Sequence, residues 1–339
     1  MKLNIIPFLF CSLLFLMACE SSPWEIPEEK KTVSQKWKRF DLSLLQHKEA
    51  PWNAETMKQW KKEFPQFLPL YTQGIMRFGP WQQKATQQTF QEFLNDKDVS
   101  ELLDKLKSVY PEGALEKEQT ELSNAFSAYQ YYFPQGQVPQ VITFSSVLTY
   151  NTIADDSLLG IGLDMYLGGD FEVYPQAGIP KYKFKHFDDR YMTSDAMKAW
   201  LMTEFPTQGG QNLLEQMIYY GKINYLLQAF FPDKPDHVFL NYNQQEYNWC
   251  KENEEEIWFH FVNMDLLHSI ENHQIRKYLG DAPFIAGFPE GSPGRVGQWM
   301  GYQIVKAYID QEGNPSLERL MQEKNADRIL QESNYKPKR

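Results

Sequence analysis

Leu213-Leu214-Glu215-Gln216-Met217-Ile218-Tyr219-Tyr220-Gly221-Lys222-Ile223-Asn224-Tyr225-Leu226-Leu227-Gln228-Ala229-Phe230 is apolar on nearly every side of a helical wheel. A surface helix keeps one apolar stripe and one polar face, so this pattern predicts a helix at the centre of a domain, covered all round. Glu215 and Lys222 are its two charges, seven residues apart and therefore on one face. A buried charge needs a partner. The pair reads either as a narrow solvated stripe or, for Glu215, as the wall of a polar pocket.

Upstream of this helix the pattern changes period. Residues 138–147 are rich in β-branched and aromatic side chains, and Leu158-Leu159-Gly160-Ile161-Gly162-Leu163-Asp164 is a second strand candidate. Gly168-Gly169, Pro175, Gly178 and Pro180 mark an extended loop. Further upstream, helical periodicity covers 54–64, 82–94, 100–110 and 116–132, with Ser100 placed as an N-cap and Pro111 as a stop. Downstream, helices are predicted over 244–268, 271–279, 293–309 and 315–324. The fold class is α+β and mainly α-helical: a small β-sheet, then a buried central helix, then further C-terminal helices.

The N-terminus sets the topology. Residues 5–17 form an apolar run of signal-peptide length behind Lys2, too short to span a bilayer as a helix, which needs roughly 20 apolar residues. It ends in Leu16-Met17-Ala18-Cys19, the pattern of a bacterial lipobox. The expected organisation is a signal peptide at 1–18, a lipidated tether at 19–35, one globular domain at 36–328 and a frayed tail at 329–339. Acylation of Cys19 anchors the chain to a membrane, and two or more acyl chains make such an anchor stable. No second apolar run of spanning length occurs. Lys2 is the only charge lost with the signal, which leaves 33 basic against 44 acidic residues and a net charge of −11. So acidic a protein is a poor partner for nucleic acid or anionic lipid headgroups. Cys11 leaves with the signal and Cys19 carries lipid, so Cys250 is the one remaining thiol and no intrachain disulfide forms.

Several polar residues fall where apolar ones are expected. On the 244–268 helix, Asn253 and His260 share the inward face with Trp249, Ile257 and Phe261, and Glu256 lies at its edge. Glu256 and His260 offer two metal-ligand positions, but no third is evident, and a metal site needs three or four. Ser292-Pro293-Gly294-Arg295-Val296-Gly297 opens a helix, with Ser292 as N-cap and Pro293 in the first turn. Gly297 and Gly301, four apart, leave a groove for close approach of another helix. A cation in a first turn opposes the helix dipole, so Arg295 needs an anionic partner, for which Glu254 and Glu215 are the candidates. Glu215, Asn253, Glu254 and Arg295 thus outline a candidate polar cleft. Cys250 is a lone thiol with no activating neighbours in sequence, and no phosphate-binding loop, dinucleotide fingerprint or nucleophile elbow is present.

The motifs together resemble a known family. The lipobox, Tyr132-Phe133-Pro134, Ile161-Gly162-Leu163-Asp164-Met165-Tyr166-Leu167-Gly168, Met217-Ile218-Tyr219-Tyr220-Gly221-Lys222, Asn253-Glu254 with Trp258, and Ser292-Pro293-Gly294-Arg295-Val296-Gly297 through Gly301-Tyr302-Gln303-Ile304-Val305 are similar to the gliding-motility lipoprotein GldB family of Bacteroidetes. The resemblance implies a cell-envelope lipoprotein, needed for gliding and associated with the gliding and type IX secretion machinery. It implies no cofactor and no known reaction. More distantly, the order of elements resembles gluzincin-like zinc peptidases. The stretch Leu214-Glu215-Gln216-Met217-Ile218 keeps the glutamate of their His-Glu-x-x-His helix but has Leu and Ile at the two His positions. That likeness implies a peptidase scaffold without its metal. The competing readings are an atypical lipid-anchored hydrolase and a glycan-binding surface lipoprotein.

Overall fold

The structure is a computed structural model that describes residues 23–48, 54–207, 212–313 and 315–338. Cys19 and the signal peptide lie outside the described residues. A two-residue strand β1 (Lys38–Arg39) leads into α1 (Phe40–Gln46), α2 (Ala54–Glu63) and a short α3 (Phe67–Pro69) that runs into a π turn at Leu70–Ile75. Then follow α4 (Lys84–Asn95), α5 (Lys97–Val109) and α6 (Glu116–Tyr132). The middle holds β2 (Gln140–Phe144), β3 (Thr152–Asp155), β4 (Leu158–Gly162), α7 (Val173–Gln176) and α8 (Asp189–Glu204). The remainder comprises α9 (Leu213–Phe230), α10 (Asp236–Phe239), α11 (Gln244–Glu252), α12 (Glu254–Asn263), α13 (Asn272–Leu279), α14 (Val296–Gln311), α15 (Leu317–Gln322) and α16 (Ala326–Ser333).

The four strands form one sheet in the order β1-β2-β4-β3. β2 runs parallel to β1 and β4, with Thr143 opposite Ile161, while β3 returns antiparallel to β4 with Ile153 opposite Gly160. The two inner strands are buried almost throughout, as parallel strands covered by helices must be. α8 packs against β3 and β4, and α1 packs against β2.

α9 is buried along most of its length and is the pillar of the second half. Its main partner is α14. A Cβ at Gly301 would stand 1.8 Å from the Met217 carbonyl oxygen, and one at Gly221 would stand 2.3 Å from the Gly301 oxygen. The two backbones therefore touch, and the expected groove is filled by α9 at Gly301 and mainly by Tyr278 and Leu279 of α13 at Gly297.

Other expectations need correction. Lys222 lies on no solvated stripe: it is 7% exposed and its Nζ donates to the carbonyl of Glu323, at the C-terminus of α15. Asp96, not Ser100, caps α5, accepting from the Asp98 and Val99 amides. The single helix expected over 244–268 is broken at Asn253, which ends α11 and starts α12. α14 begins three residues later than predicted, because Ser292 Oγ is engaged by the Ile285 amide at 3.0 Å. α8, β1 and β3 have no counterpart among the expected elements.

Neither end is the loose segment that its polar composition suggests. In the supposed tether, Trp24 and Ile26 are buried, as is Trp37 just beyond it. In the supposed tail, α16 packs on α14 and α9. Beyond it, Tyr335 Oη donates to Glu254 Oε1 at 2.8 Å, and its ring meets Trp258 edge-on.

Candidate functional site

The four residues of the expected cleft do not meet. Glu215 is the third residue of α9 and completes a capping box with Asn212. Asn253 turns back on its own helix, donating to the Trp249 carbonyl at 2.8 Å. Glu254 is buried and accepts from Tyr335 Oη and from the Lys338 amide. Arg295 finds an anion, but it is Asp281, with Nε to Oδ1 at 3.1 Å. The reason is local. Gly294 lies against the backbone of residues 280–282, and the Arg295 amide donates to the Gly280 carbonyl at 3.1 Å. Asp281 is therefore delivered to the guanidinium, while Glu215 and Glu254 are already used elsewhere.

Arg295 instead lines a polar cavity of about 390 Å³ with Tyr166, His186, Asp195, Asn241 and Asp281. Seven separate stretches build it, and α8 contributes Asp195. Asp195 accepts from Asn241 Nδ2 at 2.6 Å and from Tyr166 Oη at 3.1 Å, so both carboxylate oxygens are engaged. One turn on, Lys198 Nζ donates to Gln298 Oε1 at 3.1 Å. Both side chains are half-buried, and Asp195 lines the cavity. Burial pushes the Asp195 carboxyl above its ordinary range, partly offset by its bonds from Asn241 and Tyr166. Burial pushes Lys198 down to about 8, and the Arg295 charge acts in the same direction.

The Arg295 guanidinium is held on several sides. It donates to the Asn241 carbonyl, approaches His186 Nε2 at 3.4 Å and lies 5.4 Å from the centre of the Tyr242 ring. Burial, then Arg295 and Lys185, press His186 down to about 2, so its imidazole is neutral. Nε2 is assigned as the acceptor on that ground. Glu246 lies 4.0 Å from the same nitrogen, but a neutral ring forms no ion pair with it. The salt bridge of Glu246 is to Lys185.

The backbone around the cavity is unusual. Leu148, Asn241 and Arg295 all line it and all have left-handed φ, at 61°, 58° and 59°, and Val147 next to Leu148 has φ 54°. Such conformations are unfavourable for residues with a Cβ and persist where surrounding structure enforces them. For Val147 and Leu148 the enforcing group is Asp164. This fully buried carboxylate accepts from the Ser146 and Leu148 amides at 3.0 and 2.6 Å and from Ser145 Oγ at 3.2 Å. All three bonds go to Oδ2, while Oδ1 has no partner. Burial raises the Asp164 carboxyl to about 6.

The arrangement suits recognition of a polar group. Arg295 and Lys183 bring donors to the cavity, and Asp195, Asp281 and His186 bring acceptors. Cys250 is wholly buried and its thiol is pushed far up by burial, so it is inert as a nucleophile. Among the described residues, no three His, Cys, Asp or Glu side chains stand where they could hold a metal ion together. A larger open groove of about 1160 Å³ lies between α4, α5 and residues 167–177. Its floor includes Phe93, Leu102 and Phe171, and its rim carries carboxylates such as Glu92, Asp98 and Glu172. The smaller cavity gathers Asp195 and His186, whose ionisation burial perturbs, and is the better chemical candidate.

Part of this cavity is legible in the sequence. Arg295 was singled out for its unfavourable place at a helix start, and that signal was sound. Asp195, Lys198, His186, Asn241 and Asp281 were missed. The available cue was Asp188, a fitting N-cap followed by sixteen residues without Gly or Pro.

No curated protein and no solved structure matches the chain. A family model does, that of the gliding motility protein GldB, over residues 21–337. That span takes in the sheet, the central helix pair and every residue of the cavity, and it shows that the chain belongs to the GldB family.

Proposed function

We propose that this protein is a lipid-anchored cell-envelope component that supports the gliding and type IX secretion machinery by binding rather than by catalysis. The family match over residues 21–337 is the observation that carries this reading. The anchor rests on Leu16-Met17-Ala18-Cys19 and on the acyl chains that such a cysteine takes up. Among the described residues, no helix is long and apolar enough to cross a membrane. Binding rather than chemistry is supported by the state of the cavity. Asp195 has both oxygens occupied, His186 is neutral and held by Arg295, and Arg295 itself is paired with Asp281. The bound species would be part of a machinery protein that presents polar groups to Arg295 and its neighbours.

Two measurements test this. Cys19→Ala should move the protein from salt-washed membranes into the soluble fraction and stop gliding; retention on the washed membranes would defeat the anchor. Cross-linking in the native envelope should recover a gliding or secretion component, and a folded Arg295→Ala variant should lose it. An unchanged cross-link in that variant would remove the cavity from the binding role.

A second reading, an atypical lipid-anchored hydrolase, is favoured by one observation. Asp195, which lines the cavity, is held up by burial, and Lys198, one helical turn on in α8, is held down to about 8. Under that reading, Asp195→Asn abolishes gliding while the envelope cross-link persists.

A further inference from the structure

The segment after Cys19 is clamped to the domain almost at once. Trp24 Nε1 donates to Tyr225 Oη at 3.0 Å, and the Trp24 carbonyl accepts from Tyr132 Oη at 3.1 Å. The indole meets the Tyr132 and Tyr225 rings edge-on at 5.7 and 6.0 Å. Ile26 and Trp37 are buried further along. Between them, the Val33 and Gln35 amides donate to Ser127 Oγ and Ser123 Oγ on α6. This is a strap with several fastenings along its length, not a spacer.

Its consequence is geometric. Five residue steps separate Cys19 from Trp24, and an extended chain covers at most about 3.6 Å per residue, so the two lie within roughly 18 Å. A free tether running to residue 35 would allow roughly 58 Å. Trp24 sits at the C-terminal end of α6, beside Tyr132, and on the C-terminal half of α9, beside Tyr225. The other end of α9 is marked by Leu213, whose amide donates to the Ser269 carbonyl at 2.9 Å, next to the 69% exposed Ile270. Twelve helical residues from Leu213 to Tyr225 put these two ends roughly 18 Å apart along the axis. On the clamped side, Tyr131 is 45% exposed and meets Tyr132 edge-on. Tyrosine is a side chain that settles at the headgroup level of a bilayer.

Resting on acylation of Cys19, we propose that the Trp24 clamp seats the domain directly on the lipid surface. The Tyr131–Tyr132 end of α6 faces the headgroups, and the Ile270 loop is turned away. The anchor thus sets orientation as well as location.

The test uses the full acylated chain in phosphatidylethanolamine vesicles that carry a nitroxide on a fraction of the headgroups. A fluorophore is attached at Tyr131→Cys or at Ile270→Cys; Cys250 is buried and does not compete for the label. Quenching at 131 should exceed that at 270 by at least about twofold, given their separation along α9. Inserting a twenty-residue Gly/Ser segment between Pro23 and Trp24 leaves the clamp intact but lengthens the leash, and the two sites should then quench alike. Trp24→Ala with Ile26→Ala should have the same effect by opening the clamp. Equal quenching in the parent, or a ratio that survives the insertion, overturns the seating while leaving the anchor standing. If the parent washes off the vesicles in salt, the acylation reading falls and the seating falls with it.

Discussion

The α9–α14 crossing and the loops around the polar cavity handle glycine in opposite ways. At the crossing, Gly221 and Gly301 are present because no Cβ fits between two backbones in contact. Around the cavity the backbone takes left-handed conformations that favour glycine, and although Gly178 fills one of them, Val147, Leu148, Asn241 and Arg295 occupy others. The crossing gains close packing by omitting atoms. The cavity keeps side chains at a conformational cost and so aims Arg295 and Asn241 at one point. Backbone strain of this kind marks places where position matters more than local stability.

The sharpest way to break this contrast is at Gly301. Its Cβ would stand 1.8 Å from a backbone oxygen, which cannot swing aside as a side chain would. Gly301→Ala should therefore lose more than about 4 kcal/mol or fail to fold. Gly297→Ala meets the flexible end of Leu279 at 2.9 Å and the Tyr278 carbonyl oxygen only at 3.1 Å, and should lose about 2 kcal/mol. Urea denaturation of the two variants decides it; equal losses would mean that backbone contact does not define the crossing.

At the cavity the corresponding change is Arg295→Ala, with an expected loss of about 3 kcal/mol. The loss stays at that level because Asp281 is half-exposed and can be rehydrated once its partner is gone. Arg295→Gly should be less damaging than Arg295→Ala by about 1 kcal/mol, since φ 59° suits glycine. This ordering is the reverse of that at Gly301, where alanine is the intruder. If Arg295→Gly proves the worse of the two, the left-handed backbone carries no strain.

What could be read from sequence follows the same division. The central helix, the pairing glycines at 297 and 301, and the inner strands β2 and β4 rest on short-range periodicity and residue size. α8 escaped because its inward face carries Asp195 and Lys198, which look like surface residues until their neighbours are known. Those neighbours, Tyr166, Asn241, Arg295 and Gln298, come from 29 to 100 positions away, and no local pattern joins them. The strap was misread for a similar reason: Trp24, Ile26 and Trp37 are isolated anchors among Glu25, Glu28, Glu29, Lys30 and Lys31. The partner of Arg295 was misjudged because proximity to Asp281 depends on how Gly294 packs, which its sequence position does not reveal.

A titration separates the regions next. Asp164 supports the strained loop, and burial raises its carboxyl from 3.8 to about 6. The folded state then holds a proton that the unfolded state has released. Its contribution to stability is present below the unfolded value of 3.8 and is lost as pH rises to about 6. That loss amounts to about 2–3 kcal/mol. The difference in unfolding free energy between the parent and Asp164→Asn should shift by this amount between pH 4 and 6.5, in the direction that favours the variant at the higher pH. A constant difference across that range would mean that Asp164 is ionised throughout and that its unpartnered Oδ1 carries no proton.

The smallest effect concerns Val147. It is β-branched, has φ 54° and is only half-buried, at the rim of the larger groove. Left-handed backbone costs a β-branched residue about 1–2 kcal/mol. Asparagine tolerates the same conformation through local hydrogen bonds. Against this, Val147→Asn removes a partly buried apolar side chain, worth about 1 kcal/mol at half burial. The two terms leave a net gain of about 0.5 kcal/mol, measurable as a higher urea midpoint with an unchanged slope. Asparagine should thus improve on valine here, although the same exchange at the buried Val141 of β2 would be severely destabilising. If Val147→Asn instead loses more than about 1 kcal/mol, packing against the domain outweighs strain at this position. The left-handed pair at 147 and 148 would then owe its stability to the valine side chain as much as to the Asp164 carboxylate beneath it.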